Sequence, residues 1–475
     1  MEKENNGKGK FNSTFGFLMA SIGSAVGLGN LWGFPYKMGI GGGFAFLLIY
    51  LILAVFVGYP LILGEVALGR KTQRAAIEAY RDADHRFTIN GWFETIVPFL
   101  LICFYCTMGG YVIKYMVANF GDIFGAGFGT GRGDADAFFG GFISSGMPAI
   151  LWGVFFLALT VIIVIGGVSG GIEKFSKVAM PALFIMLVIV VVRSCTLPGA
   201  GGGIEFMFKP NFEVFKGLGW LKVLGLAGSQ MFFSLSLASG CLIAYGSYLE
   251  KDSNLEQNAV IIPAADTIVA LLAGMAVMPA VFAYGIEPSG GPGLLFVSLQ
   301  AVFNHMGAAG PIFGFIFYLL VFFAALTSSI GMMEGGISAM MDARIKKGKS
   351  VNRTVLTLIM GAVALVGSTI VSADGLGSTG MWNPLLSILG PDSGKVWLDV
   401  FDLGAEGILM PLGGLLMAIM LGWTRRHYID DEIELSGKFV SKKFIDICFR
   451  YIGPVFMIFI LVVQLNSFFG FTKVF

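Results

Sequence analysis

Charge is what this sequence has least of. Only 13% of its 475 residues are Asp, Glu, Lys or Arg, and the net charge is +1, where about a quarter charged is usual. A chain this apolar is not disordered, because disorder needs low hydrophobicity and high net charge. The balanced charge excludes a dedicated nucleic-acid binder, which would carry a basic stripe. Histidine is nearly absent, with three residues at 85, 305 and 427 in loops or near segment ends. No H-E-x-x-H, P-loop or nucleophile elbow occurs, the carboxylates read as mostly in loops, and no Ser/His/acid spacing suggests a triad. The enzyme classes are therefore unsupported. Cysteine is scarce too. Cys103 and Cys106 form a C-x-x-C with no second pair to complete a zinc set, and Cys195, Cys241 and Cys448 sit in or beside apolar segments.

What is abundant is apolar residues (56%), with 68 Gly, 45 Phe and a mean hydropathy of +0.81. A soluble core of this length cannot hide that much apolar surface, and a bilayer can. A helix needs about 20 residues to cross the hydrocarbon. Stretches of that size recur at about 13–37, 43–69, 91–120, 147–167, 172–195, 217–248, 257–285, 309–341, 352–372, 396–424 and 447–470. These predict an all-α polytopic membrane protein with eleven crossings. It reads as one transmembrane domain over 1–475, with no soluble domain and no long hydrophilic linker. The N-terminus is polar and basic, and no short apolar run with a small-residue cleavage site precedes the first segment. With the N-terminus in the cytoplasm, 22 of the 31 Lys and Arg fall on the cytoplasmic side. That satisfies the positive-inside rule and places the C-terminus outside.

Two segments read as broken. The first carries Gly23, Gly27, Gly29, Gly33 and Pro35 in SIGSAVGLGNLWGFP; the sixth mixes serines and a glycine into FFSLSLASG. Each interior Gly costs a helix about 1 kcal/mol, and backbone left unpaired in lipid costs more. Such breaks persist where something uses the freed carbonyls and amides. Their separation by five segments fits an inverted repeat of segments 1–5 (about 13–195) and 6–10 (about 217–424), with an extra helix at about 447–470 and a binding site between the breaks. The alternative is that Gly23/Gly27 and Gly29/Gly33 are small-residue packing faces.

The strings GSAVGLGNLWGFPY (23–36), GGIEKFSKVAMP (170–181), QMFFSLSLASG (230–240) and FFAALTSSIGMMEG (322–335) resemble those of the neurotransmitter:sodium symporters, the family containing LeuT, over essentially the whole chain. The resemblance implies a LeuT-type 5+5 inverted repeat with segments 1 and 6 unwound, plus an eleventh helix. It implies a sodium-coupled symporter of a bacterial inner membrane, importing an α-amino acid by alternating access. No cofactor is expected; the partners are the amino acid, Na+ and the lipid bilayer, and no nucleic acid. The alternative is a sodium-dependent amino-acid sensor that binds without net transport.

By position, the first sodium site would use Ala25, Asn30, Ser234 and Asp266. Asp266 is the sole acidic residue of its segment, and an intramembrane carboxylate reads as functional. Its negative charge would make transport independent of chloride. The alternative is a residue at a helix end. The second site would use Gly23, Val26, Ala324, Thr327 and Ser328, unless these hydroxyls bond back to carbonyls four residues earlier. Gly27 leaves room for a substrate carboxylate, which amides near Leu28 and Gly29 and the hydroxyl of Tyr105 would bind. Carbonyls of Ala25, Phe233, Ser234 and Ser236 would take the ammonium. Leu101, Phe233, Ser239, Ser328 and Met332 would line the side-chain pocket. Ser239, where LeuT has Phe, enlarges it for an apolar or aromatic side chain, or serves a polar one. Gly33 stands where the family has its external gate Arg. Lys37, one turn on, would pair with Asp402; otherwise Asp402 faces water and Phe233 with Tyr105 close the site. On the cytoplasmic side the gate matches Lys8 (or Lys10) and Asp342, braced by Ser247 and Tyr248, with Phe11 in the place of a Trp.

Overall fold

The computed structural model describes residues 9–286, 291, 293–390 and 393–471. Among these the regular structure is helical, with no strand. The elements of the membrane bundle are α1 Thr14–Ala25, α2 Gly29–Ile40, α3 Phe44–Thr72, α4 His85–Ile123, α5 Met147–Ile165, α6 Val168–Cys195, α7 Gly219–Ser234, α8 Cys241–Gly246, α9 Leu255–Ala283, α10 Gly307–Lys346, α11 Arg353–Asp374, α12 Trp397–Thr424 and α13 Lys442–Phe469. Nine of the described helices are long and apolar enough to cross a bilayer, ten when α1 and α2 count as one span bent by 46°. The remaining expected segment is α7 with α8, two pieces of 16 and 6 residues joined by residues 235–240. Every expected segment therefore has a helical counterpart. Short helices that the sequence did not announce fill the connections, among them Ala76–Ala83, Ala135–Ile143, Gly201–Phe208 and Leu294–His305.

The outer faces of the bundle are greasy. Ile162 on α5, Val178 and Ile185 on α6, Val366 on α11 and Val455 on α13 all point outward and are exposed, as lipid-facing residues must be. The inside is different. α4 runs through the centre against α10, and its buried face mixes Tyr105, Tyr111 and Tyr115 with Asn90 and Glu94. Turns of π-helix open α2 at Gly29–Gly33 and α6 at Val168–Ile172, and interrupt α3 at Ala54–Gly58. Such bulges place side chains off the regular helical stripe and recur at functional sites.

Most carboxylates lie outside the spans, as expected, but some do not. Glu65, Glu94, Asp266 and Glu334 are fully buried within spans, and Glu406 nearly so.

Candidate functional site

Both breaks lie side by side. α1 ends at Ala25, and Val26 turns extended (φ −69°, ψ 103°). The Gly27 amide donates to Asn30 Oδ1 (3.0 Å), and the Leu28 amide donates to Tyr105 Oη on α4 (2.9 Å). In the second break Ser236 and Ala238 sit at φ +51° and +52°, a region unfavourable to residues with a side chain. Side chains hold it there. The Ser236 hydroxyl donates to the Ser24 carbonyl (3.1 Å), Ser239 donates to the Ser236 carbonyl (2.6 Å), and the Ala238 amide donates to Glu65 Oε1 (2.7 Å). Gln230 Nε2 donates to the Gly29 carbonyl (2.8 Å), tying α7 to the start of α2. Freed backbone groups are thus matched individually, as a low-dielectric interior requires.

Asp266 lies in the middle of α9 and is fully buried, so it is no helix-end residue. Asn30 Nδ2 donates to its Oδ1 (2.7 Å), and the Ser234 and Tyr50 hydroxyls donate to its Oδ2 (2.9 and 3.1 Å). Asn30, Ser234 and Asp266 therefore meet, as the sequence suggested. Tyr50 is an addition from α3, a tyrosine in an apolar run with no local signal. The second group also converges. Ser328 Oγ lies 3.2 Å from the carbonyl oxygens of both Gly23 and Val26, bridging α10 to the end of α1. Thr327 does bond back, its hydroxyl 3.0 Å from both the Phe323 and Ala324 carbonyls. The back-bonding alternative is thus what its hydroxyl does here, beside a carbonyl nominated with it.

The glycines are also packed closely, as the alternative reading had it. A Cβ on Gly27 would stand 2.4 Å from both Ser328 Oγ and Tyr105 Oη, and one on Gly23 3.0 Å from Thr327 Cβ. The nominated pocket residues Leu101, Tyr105, Ser239, Ser328 and Met332 are buried. Phe233 is half-buried and faces a cavity of about 420 Å³ that also touches Trp32, Gly33, Lys37, Phe104, Asp402 and Glu406. One aromatic layer thus separates the buried residues from this vestibule.

Two gate expectations are corrected. Lys37 Nζ lies 4.0 Å from Glu406 Oε2 and donates to Ser229 Oγ (2.9 Å). Its ion-pair partner is Glu406, one turn beyond Asp402 on α12. Asp402 interacts electrostatically with both Glu406 and Lys37. A π-turn over Leu403–Leu409 sets which acid faces the lysine, and linear spacing cannot reveal that. Gln230 Oε1 stands 2.8 Å from where a Cβ on Gly33 would lie, so a glutamine side chain occupies the space beside the missing arginine. At the opposite end Tyr248 does not brace Asp342; its hydroxyl donates to Glu334 (2.6 Å). Ser247 turns to its own Ala244 carbonyl. Arg353 pairs with Glu334 through both terminal nitrogens. Asp342 accepts from the Ala75 amide (2.6 Å) and lies 3.6 Å from Arg74. Lys8 falls outside the described residues. Phe11 packs edge-on against Phe17, Tyr245 and Tyr248.

A bundle with two interrupted helices meeting around buried oxygens is the architecture of a secondary transporter. The family model of the sodium:neurotransmitter symporter family matches residues 8–124 and 145–473. An uncharacterized sodium-dependent transporter, YhdH, of Bacillus subtilis (strain 168) is 37% identical over 86% of this chain and 86% of its own length. An uncharacterized sodium-dependent transporter of Haemophilus influenzae is 34% identical over 99% of this chain and 100% of its own. The crystal structure of MhsT in complex with L-phenylalanine superposes with a TM-score of 0.84 at 32% identity, covering 96% of this chain and 100% of that one. The chain belongs to the sodium:neurotransmitter symporter family. It has the LeuT-type fold, and it is a sodium-coupled, multi-pass membrane transporter.

Proposed function

We propose that this transporter imports an α-amino acid with an apolar or aromatic side chain, coupled to two sodium sites and without chloride. The observation that carries the reading is the Asp266 carboxylate, fully buried where both breaks meet and held by Asn30, Ser234 and Tyr50. Hard cations take oxygen ligands. Here an amide and hydroxyls meet one fixed negative charge at the break in the first segment. That charge does the work an external anion would otherwise do. Ala25, Asn30, Ser234 and Asp266 would hold the first sodium, and Gly23, Val26, Ala324, Thr327 and Ser328 the second.

The substrate carboxylate would meet the first sodium in the space Gly27 leaves. Tyr105 accepts from the Leu28 amide and neighbours the Ser328 hydroxyl; its own O–H would turn to donate to a bound carboxylate. Carbonyls of the second break would receive the ammonium. That MhsT was solved with L-phenylalanine supports an apolar or aromatic amino acid, and Leu101, Phe233 and Met332 give that side chain apolar walls. Ser239, whose hydroxyl is turned onto its own loop, adds room rather than a polar handle. The protein would sit in a bacterial inner membrane with its N-terminus in the cytoplasm and its C-terminus outside. The test is uptake of an amino-acid mixture into proteoliposomes, with and without an inward sodium gradient, chloride being replaced by gluconate. Sodium-driven accumulation of a few apolar amino acids, indifferent to chloride, is expected. Tight sodium-dependent binding without accumulation would instead make the protein a sensor.

A further inference from the structure

Beside the break that carries Ser236 and Ser239, two more carboxylates lie in the interior. Glu65 on α3 and Glu94 on α4 are fully buried and interact electrostatically. Glu65 Oε1 accepts the Ala238 amide (2.7 Å). Glu94 Oε1 accepts from the Tyr80 hydroxyl (2.6 Å) and from Asn90 Nδ2 (3.2 Å), and Asn90 Nδ2 also reaches the Gly413 carbonyl (3.0 Å). Both contacts of that nitrogen are to acceptors, which fixes the orientation of the Asn90 amide. Three oxygens are then left over: Glu65 Oε2, Glu94 Oε2 and Asn90 Oδ1 are buried with no hydrogen-bond partner. A Cβ on Gly413 would lie 3.5 Å from Glu94 Cγ and 3.6 Å from Asn90 Oδ1, so the amide oxygen belongs to the same cluster as the carboxylates.

All three orphans are acceptors. The titratable groups facing them are Tyr80, whose hydroxyl is already committed to Glu94, and Cys241 on α8. The Cys241 thiol points to the Ser239 carbonyl (3.7 Å). The next charge, Glu334, is paired with Arg353. α12 brings a backbone carbonyl at Gly413. No lysine, arginine or histidine pairs with Glu65 or Glu94 among the described residues. Two adjacent carboxylates without a cation cannot both stay ionised in a medium of low dielectric. One proton added to the pair turns one of these acceptors into a donor, which a cluster made only of acceptors lacks.

We propose that Glu65 and Glu94 together hold one exchangeable proton, and that this proton sets how firmly the break between α7 and α8 is held. Glu65 is the acceptor that keeps Ala238 at φ +52°. A carboxylate accepts such a bond about twice as strongly as a neutral group. When the proton sits on Glu94, Glu65 is charged and the break is clamped; when it passes to Glu65, the clamp loosens. Ser234, Ser236 and Ser239 belong to or adjoin that same break. By linkage, an ion that prefers one arrangement of the break must shift the proton. This last step rests on the sodium-coupled reading above, whereas the shared proton does not.

Infrared spectroscopy of the full-length protein in lipid tests both. At neutral pH the parent should show a protonated-carboxyl stretching band that shifts in D2O. Glu94→Gln and Glu65→Gln should each remove the share of that band equal to one carboxylic proton per chain. Tyr80→Phe, which deletes one donor to Glu94, should move the band without abolishing it. A parent whose band is unchanged in all three variants overturns the proposal. Exchanging choline for sodium should change the band in the parent and not in Glu94→Gln. A band present yet indifferent to sodium would make the proton purely structural and overturn the coupling. Sodium binding is read separately, from the thermal unfolding of the same samples, so a failure of sodium binding and a failure of the proton site give different results.

Discussion

Gly27→Ala is the sharpest perturbation available, because its cost can be worked from positions already fixed. The new methyl would begin 2.4 Å from Ser328 Oγ and 2.4 Å from Tyr105 Oη. Neither oxygen can yield freely. Ser328 bridges the Gly23 and Val26 carbonyls, and Tyr105 accepts the Leu28 amide. Overpacking a tight interior costs about 1–3 kcal/mol, which corresponds to roughly 5- to 150-fold in a binding constant. Gly23→Ala is the internal comparison. Its methyl meets carbon at 3.0 Å and the Met180 sulfur at 3.2 Å, and methionine adapts. The expected order is therefore a large rise in half-saturating substrate for Gly27→Ala, a smaller one for Gly23→Ala, and a raised sodium requirement in both. Uptake into proteoliposomes across a sodium titration reads substrate and ion together. The sodium-dependent rise in unfolding temperature reads the ion alone, since a ligand of the native state stabilises it. Parent-like affinity in Gly27→Ala, or a larger defect in Gly23→Ala, would refute the argument.

Removing the Asp266 charge should weaken sodium binding most of all. A unit charge 4 Å from a cation is worth about 4 kcal/mol at an effective dielectric near 20, so Asp266→Asn should raise the sodium requirement at least about tenfold, read from sodium-dependent unfolding temperature. Glu406→Gln should disturb substrate affinity more than Asp402→Asn, by roughly two- to fivefold for a pair not joined by a hydrogen bond; equal effects in uptake assays would return the partnership to Asp402. Ser239→Phe should narrow the range of accepted side chains, as competition between large and small apolar amino acids would show. Arg353→Gln strands the buried Glu334 carboxylate and should destabilise the protein by about 3–5 kcal/mol, a loss that the double variant with Glu334→Gln largely recovers in denaturant unfolding.

Much of this architecture is legible in the amino-acid sequence, and for identifiable reasons. Span positions follow from hydropathy, so Phe44–Thr72 and Arg353–Asp374 fall within a few residues of the expected 43–69 and 352–372. The breaks are legible because Gly27, Gly29 and the serines of 234–239 violate helical propensity inside apolar runs. Asp266 announces itself as a lone charge. Tyr50, Gln230 and Glu406 do not. Each meets its partner across the bundle, and a tyrosine in FAFLLIYLIL looks like any other aromatic packing residue. Glu65, Glu94 and Glu334 do carry a signal, for an acid within a membrane span is expensive and is kept for a use; their partners on other helices are what spacing leaves out. The pairing of Tyr248 with Glu334 rather than Asp342 depends on side-chain reach between two helices, which spacing along one chain does not encode.

The two ends of the molecule are closed by different physics, and that difference bears on how the carrier works. On the vestibule side Phe233 is the layer over the buried residues, and the charges above it line a cavity of about 420 Å³. Lys37 and Glu406 there stand 4.0 Å apart, beyond hydrogen-bond distance, so their pair lacks the charge-assisted hydrogen bonds that make an ion pair costly to part. At the opposite end Phe11, Tyr245 and Tyr248 form an aromatic plug, and beneath it Arg353 grips a Glu334 that is fully buried. Separating a buried, hydrogen-bonded pair exposes both charges to an unfavourable medium and costs several kcal/mol. The vestibule contact is therefore the cheaper of the two to part, and opening the Glu334 end would need a driving force. Bound sodium can supply it only through a difference in affinity between the two states. The Ser328 bridge from α10 to the Gly23 and Val26 carbonyls of α1 is where such a difference would act, because α10 also carries Glu334 barely two turns further along the same helix.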